Sequence, residues 1–255
     1  MVGPKNLLKQ SESVIIFFKD LTDIIKVQKL KSDFVANVSH ELRTPLQSIK
    51  LGLETINNGH AADDAESQKK ILPLVLQQTT RMENIVNDLL SLSRIELQEH
   101  IRPNDKIDIN EIISHSVDLH HEILKKNNII CKIDQQTKDS IINGDRNRLI
   151  EVFNNLIDNA IKYSEKNKKI NITTSSDDKN LIVIVKDEGI GISRENIPQI
   201  TERFFRVNPA KSKEVGGTGL GLAIVKHIVN QHRAEMNISS EENKGTTISI
   251  NFPKI

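Results

Sequence analysis

At 255 residues the chain is long enough for one large or two modest domains with real cores, and two suits the change of pattern along it. Its 35 Lys and Arg stand against 34 Asp and Glu, so the net charge of +1 gives no field that would point to nucleic acid or a membrane surface as a partner. The single cysteine, Cys131, cannot close an internal disulfide, which suits a reducing compartment and a small buried apolar residue on a strand. The longest plainly apolar run, residues 14–18, falls far short of the roughly 20 residues that cross a bilayer, and no signal-peptide pattern opens the chain. The expectation is a soluble polypeptide.

Residues 1–20 hold one strand-like run, Ser13-Val14-Ile15-Ile16-Phe17-Phe18, and too little else to close a core, so they read as the remnant of an upstream domain. From Val27 the apolar residues fall at Leu30, Phe34, Val38, Leu42, Leu46, Ile49, Leu53 and Ile56, steps of three and four that predict one long amphipathic helix. Asn57-Asn58-Gly59 ends it. Met82, Ile85, Leu89, Leu92 and Ile95 mark a return helix that stops before Arg102-Pro103. Pro73 leaves its start open: either the proline sits in the first turn of a helix beginning near Leu72, or it kinks a longer one. Residues 21–100 thus form an antiparallel hairpin whose apolar stripe is uncovered, and pairing with a second copy to make a dimeric four-helix bundle is the economical solution.

Beyond Pro103 long helices give way to alternating elements, as expected for a second, α/β domain over residues 101–255. Strands are expected at 131–134, 170–174, 181–186, 236–240 and 246–252, and helices at 110–126, 146–162 and 219–232. The polar stretch between Phe205 and Gly217 has little apolar material to pack and reads as a mobile lid.

Chemistry concentrates in four short segments. In Ser39-His40-Glu41-Leu42-Arg43-Thr44-Pro45, helical spacing stacks Thr44 on His40 and sets Glu41 beside the imidazole, while Pro45 removes a donor and should bend the helix so that the histidine is exposed. A histidine with an ordinary pKa is largely neutral at physiological pH and offers a lone pair able to attack a phosphoryl group. If Glu41 accepts the hydrogen on the other ring nitrogen, it fixes the tautomer and stabilises the positive ring that forms. Asn155 and Asn159 share a helix face with Lys162 and Tyr163, opposite the apolar Ile150, Phe153, Ile157 and Ala160. Two carboxamide oxygens suffice for Mg2+ beside phosphates, and Lys162 can meet a phosphate as a point charge; polar residues on the wet side of an ordinary helix would explain the same letters.

Asp187 ends the apolar run 181–186 and enters a turn loosened by Gly189 and Gly191. A carboxylate there would accept the exocyclic amine of adenine and reject the oxygen of guanine, which predicts ATP over GTP; alone, an Asp in a turn is as readily a turn-former. Gly217-Thr218-Gly219-Leu220-Gly221 is neither a P-loop, since no Gly-Lys-Ser/Thr follows, nor a Rossmann fingerprint, since no strand precedes it. It is a glycine-rich lead into a helix N-terminus, where backbone amides attract phosphate oxygens. Phe204 and Phe205 are placed to anchor the start of the lid, and Arg206 to reach the γ-phosphate unless it is simply paired at the surface. The eight histidines, notably His115, His120, His121, His227 and His232, match no zinc-ligand spacing, so no dedicated transition-metal site is expected.

Taken in order, these segments resemble the H, N, G1 and G2 boxes of the sensor histidine kinases, over about residues 21–255. The resemblance implies an α+β architecture: a dimerisation and phosphotransfer hairpin followed by a Bergerat-type (GHKL) layered α/β sandwich. It implies transfer of the γ-phosphoryl group of Mg-ATP to His40, then to an aspartate on the receiver domain of a separate response regulator, with Thr44 positioning a water for dephosphorylation of that regulator. The strand-like run at 13–18 with Lys19-Asp20-Leu21-Thr22 resembles the exit of a PAS sensor domain. The strings at 33–40 and 88–96 are most similar to phosphate-regulon sensor kinases. A cytoplasmic location follows, free or as the inner part of a membrane-anchored sensor. Two rivals share some of these features. Other GHKL ATPases lack a phospho-accepting hairpin ahead of the nucleotide domain, and a scaffold that only dimerises has no need of the intact His40, Asn155, Asn159, Asp187 and Gly219. Stimulus, cognate regulator and the cis or trans sense of phosphorylation are not encoded legibly.

Overall fold

The computed structural model describes residues 20–58, 64–208 and 216–254. The strand-like run at 13–18 and residues 209–215 of the expected lid lie outside them. The chain divides into two compact units inside its first helix, one ending at Ser39 and the other beginning at His40.

Helix α1 (Thr22–Asn58) crosses that division and continues through Pro45. In the second unit it is followed by α2 (Ala65–Leu97), which starts where the Asp64 side chain accepts the Glu66 N–H. Pro73 therefore lies inside a longer helix, the second of the two alternatives. Gly52 lets the pair approach closely, since a Cβ there would come within 2.6 Å of Val75. Contact of 52 with 75 and of 41 with 81 shows the antiparallel hairpin.

The α/β lobe opens with β1 (Asp105–Asp108), α3 (Ile109–Leu119), α4 (His121–Lys126), β2 (Ile130–Gln135), β3 (Ile141–Gly144) and α5 (Arg146–Lys162). It closes with β4 (Lys169–Ser176), β5 (Asn180–Asp187), α6 (Gly221–Gln231), β6 (Glu235–Glu241) and β7 (Gly245–Pro253). One five-stranded sheet has the order β2-β4-β5-β7-β6, parallel only between β2 and β4. A separate antiparallel pair joins β1 to β3.

Alternation puts Ile170, Ile172, Leu181, Val183, Val185, Ile248, Ile250 and Phe252 on the buried face of the large sheet. The apolar side of α5, Leu149, Val152, Phe153, Leu156 and Ile157, is buried with them, giving the layered sandwich expected. The expected helix 110–126 is broken at His120, which closes α3 and precedes α4, its ring bonded to the Ser116 carbonyl at 2.8 Å. Apolar spacing carries across such a break and does not show it. The strands β1 and β3 also went unread, being only four residues each, too short for an alternating pattern to show.

Candidate nucleotide and phosphotransfer site

A cavity of about 380 Å3 opens between α5, the end of β5, the segment 205–208 and the glycine-rich 216–221. Asn155, Asn159, Lys162 and Tyr163 line it from α5, Asp187 and Gly191 from β5 and its turn, and Arg206, Gly217, Thr218, Gly219 and Gly221 from the other wall. Gly189, Phe204 and Leu220 do not line it: Gly189 closes on the Tyr163 carbonyl and Asp187, the Phe204 backbone packs on Gly219, and Leu220 is fully buried.

Each wall has a local reason for its shape. The Asp145 side chain caps α5 by accepting the N–H groups of Asn147 and Arg148 at 2.9 and 3.1 Å, which fixes the register that turns Asn155 and Asn159 toward the cavity. The Asn155 amide nitrogen donates to the Glu151 carbonyl at 2.9 Å, so its oxygen is the atom left to present, 2.5 Å from where a Cβ on Gly221 would stand. Lys162 is paired with Asp158, which also lines the cavity, at 2.6 Å. Gly219 holds φ +77° and packs on the Phe204 backbone, with the Phe204 N–H donating to its carbonyl at 2.8 Å.

Asp187 accepts the backbone N–H groups of Gly189 at 2.8 Å and Thr246 at 3.1 Å, both on Oδ1. Burial pushes its carboxyl above the ordinary carboxylate range, and those two bonds only partly offset it. Val185 and Ile248 give this end of the cavity an apolar floor, so a charged acceptor sits at the edge of an apolar slot.

His40 is exposed on α1. Thr44 donates its hydroxyl to the His40 carbonyl at 3.2 Å. Glu41 is held elsewhere: Arg206 binds its carboxylate with both terminal nitrogens and Arg81 of α2 adds a bond at 3.2 Å. All three side chains are at least 85% buried, and the Nε atoms of Arg81 and Arg206 have no hydrogen-bond partner among the described residues.

The hairpin also reaches the cavity directly, which sequence reasoning missed. Asn84 and Asp88 of α2 line it, and the Thr218 hydroxyl donates to Asp88 at 2.7 Å. Away from the cavity, Arg203 pairs with Glu96, Ser91 bonds Glu151, and Arg102 donates to the carbonyls of Asn230 and Gln231 at 2.8 and 2.9 Å. Asp88, Ser91 and Glu96 fall in the string 88–96 that carries part of the family resemblance, but nothing in that string says which residues of the lobe they meet. His232 is structural, buried between the Ile228 carbonyl and the Asp145 N–H. No cluster of metal-ligating side chains occurs among the described residues.

Residues 30–98 match the His Kinase A (phospho-acceptor) domain, and residues 144–255 match the histidine kinase-, DNA gyrase B-, and HSP90-like ATPase. The sensor protein kinase WalK of Staphylococcus epidermidis is 37% identical over 241 residues, which is 94% of this chain and 39% of WalK. The phosphate regulon sensor protein PhoR of Pseudomonas aeruginosa is 34% identical over 238 residues, 93% of this chain and 53% of PhoR. The chain spans 39% to 62% of the length of these and the mycobacterial SenX3 relatives, less than two thirds in each case. Among solved structures, the catalytic domain of the histidine kinase ThkA is 30% identical with a TM-score of 0.53, covering 59% of this chain and 95% of that one. ThkA in complex with the response regulator protein TrrA aligns with a TM-score of 0.71 at 24% identity, over 92% of this chain and 65% of that one, a likeness of fold. The chain belongs to the histidine kinases, a phospho-acceptor hairpin followed by an ATP-binding lobe of the gyrase B and HSP90 type.

Proposed function

We propose that residues 21–100 are the dimerisation and phosphotransfer stem and residues 101–255 the catalytic lobe of a two-component sensor, which moves the γ-phosphoryl group of ATP to His40. One observation carries this: Asn155, Asn159, Asp187 and the segment 217–221 converge on one cavity, in the same unit as an exposed histidine with an adjacent carboxylate.

The adenine end is the Val185 and Ile248 slot, where the Asp187 oxygen not engaged by Gly189 and Thr246 accepts the exocyclic amine. Guanine would set an oxygen against it, leaving a buried acceptor unmatched and favouring ATP. The loop at 217–221 receives the phosphates with backbone amides, and Arg206, whose Nε lacks a partner among the described residues, has a donor to spare for a phosphate oxygen. The Asn155 and Asn159 carboxamides fit Mg2+, a hard cation that keeps waters and needs few protein oxygens. Bound there, it would neutralise triphosphate charge.

In the transfer, one His40 nitrogen forms the bond to phosphorus as the bond to the ADP oxygen breaks, and the other ring nitrogen gives up its proton. Glu41 is the nearest acceptor along the helix and must first let go of Arg206 to serve. Thr44, stacked one turn on, is assigned the water for the phosphatase reaction. The second acceptor is an aspartate of a response regulator, the class of protein with which ThkA was crystallised. Leu46 and Leu53 on α1 and Leu72 and Leu76 on α2, pairs that share a helix face, are each half exposed or more, apolar surface that a second copy would cover. No helix among the described residues is long and apolar enough to cross a membrane. The proposed use of ATP and of a response regulator supports a cytoplasmic position for this part.

Incubation with γ-labelled ATP tests the reading. An acid-labile, alkali-stable label is expected on the wild type and none on His40→Gln; label on another side chain would end it.

A further inference from the structure

Thr218 in the glycine-rich loop and Arg206 beside it are side-chain donors, and the Thr218 hydroxyl and both Arg206 terminal nitrogens are engaged by carboxylates that come from the hairpin. The Thr218 hydroxyl has one hydrogen, and it goes to Asp88 of α2 at 2.7 Å; its oxygen meanwhile accepts the Leu220 N–H at 3.2 Å at the start of α6. Arg206 turns both terminal nitrogens to Glu41 of α1. Asp88 lies on the wall of the cavity itself, beside Asn84. Carboxylate oxygens and phosphate oxygens want the same donors, so a triphosphate entering this loop meets the hairpin's anions already in place.

We propose that Asp88 sets the affinity of the cavity for its triphosphate, by occupying the Thr218 hydroxyl as a phosphate would and by repelling the phosphate chain, so that nucleotide binding and docking of the hairpin compete. The inference rests on the nucleotide reading of the cavity. Asp88 is only partly compensated where it sits: burial raises its carboxyl above the ordinary range, the Thr218 bond opposes that, Glu151 and Asp158 push it further up, and Lys162 across the cavity draws it back. A triphosphate adds several negative charges to that wall. The exchange is therefore one-sided: the incoming phosphates gain the Thr218 hydroxyl and the Arg206 fork, and the outgoing carboxylates regain water. It also links binding to chemistry, because the same displacement that frees Thr218 from Asp88 frees Glu41, beside His40, from Arg206.

Asp88→Asn in the full chain isolates the charge, since a carboxamide oxygen still accepts from Thr218. Calorimetry with adenosine, ADP and a non-hydrolysable ATP analogue, each with Mg2+, should show adenosine binding unchanged and the ATP analogue bound about tenfold more tightly in the variant, with ADP between. Equal affinities for the ATP analogue in variant and wild type, or a gain as large for adenosine, overturn the inference while leaving the cavity a nucleotide site. Failure of every adenine nucleotide to bind either protein overturns the nucleotide reading itself. Hydrogen exchange on the wild type gives a measure independent of the variant's folding: the saturating ATP analogue should speed exchange in the segment 84–92, and unchanged or slower exchange there refutes the competition.

Discussion

Arg206 grips Glu41 with a two-pronged fork, Nη1 to Oε1 at 3.2 Å and Nη2 to Oε2 at 2.9 Å, while the same Nη2 reaches the Thr218 carbonyl at 2.7 Å. One guanidinium thus touches the acid beside His40, the histidine proposed as phospho-acceptor, and the loop assigned to the phosphates. Lysine could not reproduce this, since a single ammonium has no fork. Arg206→Ala and Arg206→Lys should both slow single-turnover autophosphorylation at saturating ATP, the alanine variant by roughly 10²-fold, the usual loss when one charged donor to a transferring group is removed. A wild-type rate in either variant would restrict Arg206 to holding Glu41.

Asp187 predicts a divergence between stability and binding. Its folded carboxyl lies above its unfolded value because of burial, so the charged form opposes folding at neutral pH, an opposition relieved as pH falls through the folded pKa. Asp187→Asn keeps an oxygen for the Gly189 and Thr246 N–H groups but sets an amide donor against the adenine amine. Urea unfolding of the nucleotide-free variant at pH 7.5 should show equal or greater stability than wild type, while ATP affinity falls about 10- to 100-fold. Weaker folding together with undiminished binding would contradict both halves.

How far the sequence could be read depended on whether a feature was local. The α5 face of Asn155 and Asn159, the acid ending β5 and the glycines at 217–221 are set by spacing within one element, and the structure brings them to one cavity. Asp88, Asn84 and Arg81 are different. They lie on a helix with a plain amphipathic pattern, and their long-range partners, Thr218 for Asp88 and for Arg81 the Glu41 carboxylate that Arg206 also holds, are a property of packing that periodicity does not carry. Likewise, three-and-four spacing ran smoothly over the break at His120 and over Pro73, which cost the first its place and left the second undecided until the Asp64 cap was seen.

His232 should make the lobe sensitive to mild acid. Its ring is buried; Nδ1 donates to the Ile228 carbonyl at 2.8 Å, which leaves Nε2 as the neutral acceptor of the Asp145 N–H at 3.0 Å. Burial lowers its pKa below 6.5, outweighing the Ile228 bond and the Asp145 charge. The unfolded chain therefore takes up a proton near 6.5 that the folded lobe refuses, so stability is complete above that pH and declines as pH falls below it. Urea unfolding at pH 7.5 and 5.5 should show the loss in wild type and a smaller one in His232→Gln. Equal losses in the two proteins would assign the acid sensitivity to other groups.

Gly219 is where the phosphate loop is least tolerant of a side chain. Its φ of +77° lies in the left-handed region, and an added Cβ would stand 2.9 Å from the Phe204 Cα, backbone that cannot swing aside. Phe204 is itself at φ +64° and donates to the Gly219 carbonyl, so the two residues hold each other's conformation. Gly219→Ala combines a strained φ with a steric shift, together about 1–3 kcal/mol. The loop can escape that strain only by moving Thr218 and Leu220 off their present places. ATP affinity should therefore fall at least tenfold while far-UV circular dichroism keeps the helix content of the hairpin, which rests on its own backbone hydrogen bonds. Gly216→Ala is the matched control: its φ is +73°, yet nothing lies within 4 Å of an added Cβ, so it bears the backbone strain alone. Equal loss of binding in the two variants would mean that the left-handed backbone, and not the approach to Phe204, is what the loop requires.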